Sequence, residues 1–554
     1  MPGHKGSAVY RRFGYGDFLK KMMDCDITEI PGADNLFQTE GILKAAQEKY
    51  ARLYGVQRSY LLINGTSCGV IAAVMASVPK GKKLVMARNS HKAIFNALVL
   101  ADIQPVYAYP EIISEYGISG GITADEIERC LDENPDAEAV ILPSPNYYGI
   151  CSDIRAIAEV VHKKGKTLIV DQAHGAHLRF FRKAEFTDMP ESAEEQGADI
   201  VVNSIHKTLA SFTQSAVLNL NSDRVDHYVL EDKLQMLEST SPSYLLMGSL
   251  DINAHLLEEH GKTLMTEWYE NLMYFYKEAD TIKGLRIIGS PLNTDAGISM
   301  DITKINLDMS TAGIDGSRLE ELLMERGIFA ELTTGPILMC MTGIGNTLED
   351  VKRLIEALKD ISACCSAAPA PSPEKSSVPA ILKEKLQLFP VPQDKERIPL
   401  TKGAGRICAS SIIPYPPGIP FICPGEQLTD EVISYIKQLR DAGEKVIGIN
   451  DRGEITVARQ RTCGLRAGSY YHQYARGCPS IFYHTSPGRT DQKLFNPPCV
   501  KNRKSGHAGG FLNSVNSVRK SINQAIINSF TRDTFKPRGG QLSLVISEPP
   551  GVRG

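Results

Sequence analysis

Thr167-Leu-Ile-Val-Asp171-Gln-Ala-His174-Gly-Ala-His177 opens as a short apolar run and closes on an acid and two imidazoles. Successive apolar residues of this kind read as a strand covered on both faces, as in parallel sheets flanked by helices. Working outward, residues 84–86, 139–142, 199–202 and 216–220 read as further buried strands. Residues 123–134 and 154–164 between them carry apolar side chains at helical spacing. Strand and helix in alternation predict an α/β domain with a mostly parallel sheet between two helix layers. Ligands on such sheets gather at the carboxyl ends of the strands. The polar residues Asn89-Ser90-His91, Pro143-Ser144-Pro145, Asp171 and Ser204 through Lys207 all fall there.

The remaining chain divides by composition. A second unit over about 256–362 shows long helical patterns and expected strands at 285–288 and 297–302. Residues 363–380 are rich in Ala, Pro and Ser, the composition of an extended linker. A small α+β unit follows over 381–457, dense in turns and with a helix expected around 429–442. From 459 to 554 there are 15 Lys and Arg against 3 Asp and Glu, whereas the rest of the chain carries 46 against 61. That basic tail (458–554 as a domain) has no sustained period and is expected to be poorly ordered. It lacks the aromatic-basic alternation of a nucleic-acid arm. No apolar run reaches membrane-spanning length and the first thirty residues lack a signal-peptide core. The twelve cysteines include no CxxC pair or zinc-like spacing, which predicts a reduced, cytoplasmic protein without a metal site.

Four motifs carry chemistry. Ser204-Ile-His206-Lys207 follows a buried strand, where partial desolvation lowers a lysine pKa and makes its amine a nucleophile toward an aldehyde. Ser204 and His206 add donors suited to a phosphate. Taken alone, the tetrapeptide is equally a solvated lysine at a strand end. Asp171 is costly to bury unless something positive meets it, and a pyridinium nitrogen is such a partner. A metal cluster or a helix cap would also use this Asp and His174. Thr66 and Ser67, at the start of a helical run after the expected strand near 61–63, suit an anion site or an ordinary cap. His91 can stack on a flat heteroaromatic ring, though a lone histidine is more often a polar loop residue. The force of the set is its order: phosphate holder, stacking ring, acid and lysine, each after an expected strand.

With those residues in view, the chain resembles the ornithine/lysine/arginine decarboxylase family of type I pyridoxal-phosphate-dependent enzymes. The carrying segments are Pro2-Gly-His-Lys5, Asn64-Gly-Thr-Ser67, Arg88-Asn-Ser-His-Lys92, the 167–177 stretch, Ser204-Ile-His-Lys207 and Ser241-Pro-Ser-Tyr-Leu245. Beyond the linker they are Tyr415-Pro-Pro-Gly-Ile-Pro420 and Pro424-Gly-Glu426. The resemblance implies a type I PLP-dependent transferase-like major domain (1–255) plus a small α+β C-terminal domain. It implies pyridoxal 5'-phosphate as cofactor, joined to Lys207 as an internal aldimine. Asp171 would meet the pyridine nitrogen, His91 would stack on the ring, and His174 would lie near the ring substituents. Thr66, Ser67, Ser204 and His206 would serve the phosphate, with Lys207 or His206 returning a proton to the substrate carbon. It further implies a homodimer with the active site at the interface, polyamine biosynthesis as the setting, and no membrane or nucleic-acid partner. Family members usually have a helical segment before the Pro2 motif, and longer ones a receiver-like domain, so a shortened dimer-forming N-terminus is expected.

Residues 327–342 contain no arginine of the kind that clamps a substrate carboxylate in transaminases, which favours decarboxylation. The expected substrate is a basic amino acid, arginine or lysine before ornithine. Glu426, Glu331 and Asp295 are the acids considered for its distal cation, with Glu426 foremost. An aminotransferase on the same scaffold and a non-catalytic protein with a nucleic-acid-binding tail are the rival readings.

Overall fold

The computed structural model describes residues 3–5, 8–113, 115–292, 299–365, 386–414, 420–441 and 445–460. The tail beyond 460, Asp295, most of the expected linker and the Tyr415–Ile419 turn lie outside the described residues. The family-like turn Ser241 to Leu245 serves a local purpose: Ser243 caps the long helix Tyr244–Ala279.

The major domain is a seven-stranded sheet. Across it the strands run Arg58–Leu62, Ala216–Leu220, Ile200–Asn203, Thr167–Asp171, Ala137–Pro143, Lys83–Ala87 and Gln104–Ala108. All neighbours pair in parallel except Ala216–Leu220, which is antiparallel to both of its partners. The reason is local. The connection between Ile200–Asn203 and Ala216–Leu220 carries only the four-residue helix Ile205–Thr208, too short a helix to run back along the sheet as a parallel crossover usually does. Helices Gly65–Ser77, Lys92–Ala101 and His227–Leu237 cover one face, whereas Ala124–Glu133 and Ile154–Lys163 cover the other. Gly69 lets the first of these approach the sheet, since a Cβ there would sit 2.6 Å from Leu62 and 2.7 Å from Val202. The expected strands and helices of this region are therefore present, most within a residue or two of their expected ends; the first strand, Arg58–Leu62, and the helix Gly65–Ser77 begin earlier than expected.

The helix Tyr244–Ala279 is 36 residues long and passes unbroken through residue 255, where the sequence reading ended the major domain. It leads to a four-stranded antiparallel sheet ordered Arg286–Ile288, Lys304–Asp308, Ile337–Met341 and Leu332–Thr334. The strand expected at 297–302 is corrected: among its described residues Met300 makes one isolated bridge to Ile150, and the strand itself is Lys304–Asp308. Lys304, Asn306 and Asp308 alternate in that strand and look solvated by type, yet all three are buried and hydrogen-bonded. The helix Leu348–Cys365 extends three residues into the expected linker. The C-terminal unit has its own core around Cys408, Ile412, Ile422, Val432, Ile436 and Ile455, under the helix Asp430–Asp441.

Candidate active site

Asp171 ends the Thr167–Asp171 strand and Lys207 follows the neighbouring Ile200–Asn203 strand, so parallel register delivers both to one end of the sheet. Asp171 is buried and accepts a hydrogen bond from the Ala173 N–H at 3.1 Å. Burial pushes its carboxyl above the ordinary range, opposed by the charge of Lys207. A buried acid of this kind, with an amine nearby but no ion pair, fits a cationic ring nitrogen. The Lys207 amine is lowered to about 8 by burial, against the opposing pull of Asp171 and Glu331.

The partner that Lys207 Nζ touches is His174 Nε2, at 2.9 Å. His174 is buried, and burial together with Lys207 keeps its imidazole neutral. Its Nδ1 has no hydrogen-bond partner among the described residues. The sequence placed His174 near the cofactor but not on the lysine. The signal was there: three residues past a strand end, a side chain turns back over the neighbouring strand end.

The phosphate candidates separate into a core and a rim. Thr66 and Ser204 are buried, and their hydroxyls face each other in a short contact. Ser67 is exposed on the next position of the Gly65–Ser77 helix, whose free N–H groups are anion donors. His206 is partly buried, with Nδ1 donating to the Ser215 carbonyl at 2.9 Å, and burial lowers it to about 4. His91 caps the Lys92–Ala101 helix, its Nδ1 accepting from the Ala93 N–H at 3.3 Å; burial and Lys207 lower it to about 4. Both rings are thus uncharged near neutral pH. A hydroxyl pair, a helix start, two neutral imidazoles, a buried acid and a lowered amine together fit pyridoxal phosphate.

Tyr147, which the sequence reading did not single out, and Glu331 and the Gly3–Lys5 segment, which it did, complete the site. The Tyr147 ring lies 4.6 Å from the His174 ring, and its hydroxyl donates to Glu331 Oε1 at 3.0 Å. Glu331 acts electrostatically on both Lys207 and Lys5. The Gly3–Lys5 segment rests on the Lys207 helix through Gly3 N to His206 O at 2.8 Å, and Gly345 N donates to Gly3 O at 2.9 Å. Glu426, the first acid expected to meet a substrate cation, is instead buried against Arg88. Arg88 donates to both Glu426 oxygens at 3.2 and 3.0 Å, and to the carbonyls of Pro420 and Phe421 at 2.8 Å each. Breaking a buried pair from one side costs about 3–5 kcal/mol. Arg88→Met is therefore expected to lower unfolding free energy by about that much in a denaturant titration, and Arg88→Met/Glu426→Met to recover most of it. Equal stability of the single variant and the unaltered chain would contradict this.

Comparison with known proteins identifies the family. A family model described as the major domain of Orn/Lys/Arg decarboxylase matches residues 1–299, and the model of that family's C-terminal domain matches 377–459. The chain is 34% identical to the arginine decarboxylase of Bacillus subtilis, over 81% of this chain and 92% of that one. It is 32% identical to the arginine decarboxylase of Halalkalibacterium halodurans, with the same shares covered. The inducible lysine decarboxylase of Escherichia coli is 24% identical over 80% of this chain and 75% of its own. Among solved structures, the constitutive lysine decarboxylase of E. coli shares the fold, with a TM-score of 0.67 at 21% identity, over 83% of this chain and 79% of that one.

Proposed function

The chain belongs to the Orn/Lys/Arg decarboxylase family, and on that premise we propose that it decarboxylates arginine with pyridoxal 5'-phosphate held on Lys207. It is an amino-acid decarboxylase of the lyase class acting on a basic amino acid. The choice of arginine is supported by relatives at 34% and 32% identity that bear that name, against 24% for a lysine decarboxylase. The observation that carries the reading is one amine, Lys207, lowered by burial against the opposing charges of the buried Asp171 at the sheet end and of Glu331.

When bound, the cofactor supplies an aldehyde that joins amines and a protonated ring that draws electrons from the bond to be broken. The side chains do the rest. Thr66, Ser67, Ser204 and His206, with the N–H groups at the start of the Gly65–Ser77 helix, hold the phosphate. His91 would cover one ring face, and Asp171 would keep the ring nitrogen protonated. His174 orients Lys207 through the 2.9 Å contact. Lys207 would hold the cofactor through its lowered amine, and its Nζ would be the group that supplies a proton. His206 is uncharged and turned onto the Ser215 carbonyl, so Lys207 is the better proton donor.

Glu331, held by Tyr147 and acting through charge on Lys207, is the acid we assign to the substrate's distal cation in place of Glu426. Carbon dioxide release measured from arginine, lysine and ornithine tests the assignment. Arginine is expected to be preferred, and Glu331→Gln to raise KM for arginine about 10–100-fold, with a smaller change in kcat, because a hydrogen bond to a charged group contributes about 1.5–3 kcal/mol. Release from none of the three would overturn the proposed activity; an unchanged KM would remove Glu331 from this role.

We also propose a cytoplasmic homodimer with its active site at the interface, working in polyamine biosynthesis. Val99, Leu100, Tyr228 and Met236 support the dimer: they are exposed apolar side chains on two helices that both pack on Gly65–Ser77. Among the described residues no helix is long and apolar enough to cross a membrane. The division of the chain into a major domain, a small unit, a linker from 363 to 380, a C-terminal domain and a basic tail from 458 is likewise proposed.

A further inference from the structure

Behind the site lies a charged cluster that the reaction does not itself require. Lys304, Asp301, Thr303 and His177 are all fully buried. Lys304 Nζ has three protons and three acceptors: Asp301 Oδ2 at 2.9 Å, Thr303 Oγ1 at 3.1 Å and the main-chain carbonyl of His174 at 2.9 Å. Asp301 in turn accepts from the Thr303 N–H at 3.0 Å and contacts His177 Nε2 at 3.1 Å. Gly149, at φ +93°, packs on the lysine stem, where a Cβ would come within 3.0 Å.

A buried ion pair adds little net stability over apolar groups of the same volume, so stability alone does not account for this one. Its geometry points elsewhere. The lysine belongs to the antiparallel sheet of the second unit, and among the described residues the acceptor its ammonium group finds outside the 301–304 turn is the carbonyl of His174. The ring of that same residue meets Lys207 Nζ. We propose that Lys304 is a positioning residue: locked to Asp301, it fixes the main chain of His174 and so the imidazole that orients the Lys207 amine. The groups acting on that amine are then His174 by contact, with Asp171, Glu331 and Lys304 acting through charge. Lys304 also holds the amine's pKa down through like charge, which agrees with this placement.

The inference rests on Lys207 carrying the cofactor, and its test separates the two. The unaltered holoenzyme is titrated with acid and base while the absorption band of the lysine-linked cofactor is followed. The absence of any such band refutes the cofactor assignment itself. Lys304→Met and Asp301→Asn/Lys304→Met are then compared; the double variant leaves no lone buried carboxylate. Both are expected to bind cofactor and to show a band whose pH midpoint has moved upward. Both should also lose about 100-fold in kcat, the effect of misplacing a reacting group by about 1 Å, at nearly unchanged KM. A folded double variant with its midpoint and kcat unmoved would overturn the proposal. A double variant that does not fold would assign the cluster to stability and overturn it equally.

Discussion

Lys207→Ala is expected to leave a folded protein in which the lysine-linked absorption band is gone and turnover falls by roughly 10⁴-fold or more, the scale for removing a covalent catalytic group. The side chain is one of two, with Asp171, placed at adjacent strand ends, and it is the amine on which His174 is trained. The unaltered chain carries a linked prediction. Only the neutral amine attacks an aldehyde, and burial brings this amine to about 8. Stopped-flow capture of added cofactor by apoprotein should therefore accelerate as the pH rises toward 8 and level off above it. A rate still climbing steeply near pH 10 would indicate a solvated lysine and remove the main support for its role. Persistence of the band in Lys207→Ala would show that another amine holds the cofactor.

Asp171→Asn should behave differently. The Ala173 N–H keeps an oxygen to bond to, and Lys207 remains, so the lysine-linked band should form. Turnover is expected to fall roughly 10²–10⁴-fold, because a neutral amide does not keep the ring nitrogen protonated. Without cofactor the substitution should not weaken the fold. The folded carboxyl holds its proton more tightly than the unfolded one, since burial raises its pKa. Its contribution to stability is thus present in acid and fades as pH climbs through the folded value, so near neutrality wild type carries a cost that the amide avoids. Urea unfolding of both apoproteins at pH 5 and pH 8 tests this. A larger deficit for the variant at pH 8 than at pH 5 would reverse the sign and contradict the environment assigned to Asp171.

Much of the site was legible because each of its residues follows a buried apolar run. Strands such as Thr167–Asp171 and Ile200–Asn203 advertise themselves by composition, and parallel register then brings their carboxyl ends together. What stayed hidden depended on contacts distant in sequence. Lys304 and Asn306 look like surface residues until Asp301, the His174 carbonyl and the Tyr148 carbonyl are placed around them. That masking also drew the expected strand to 297–302, where apolar residues alternate more visibly. Glu426 stood in a recognisable turn and was assigned to the substrate, whereas Glu331 stood in a plain stretch. Their places are decided by Arg88 and Tyr147, neither of which is near them in the chain.

The Arg88–Glu426 pair has a consequence for how the protein is made. The two residues are 338 positions apart, and Arg88 stands three residues before the histidine assigned to the ring face. During synthesis that guanidinium waits without its carboxylate until 338 further residues have been made. The loop carrying His91 therefore acquires its mature surroundings late, and a nascent chain cut short before Glu426 presents an uncompensated cation where the finished enzyme has a sealed wall.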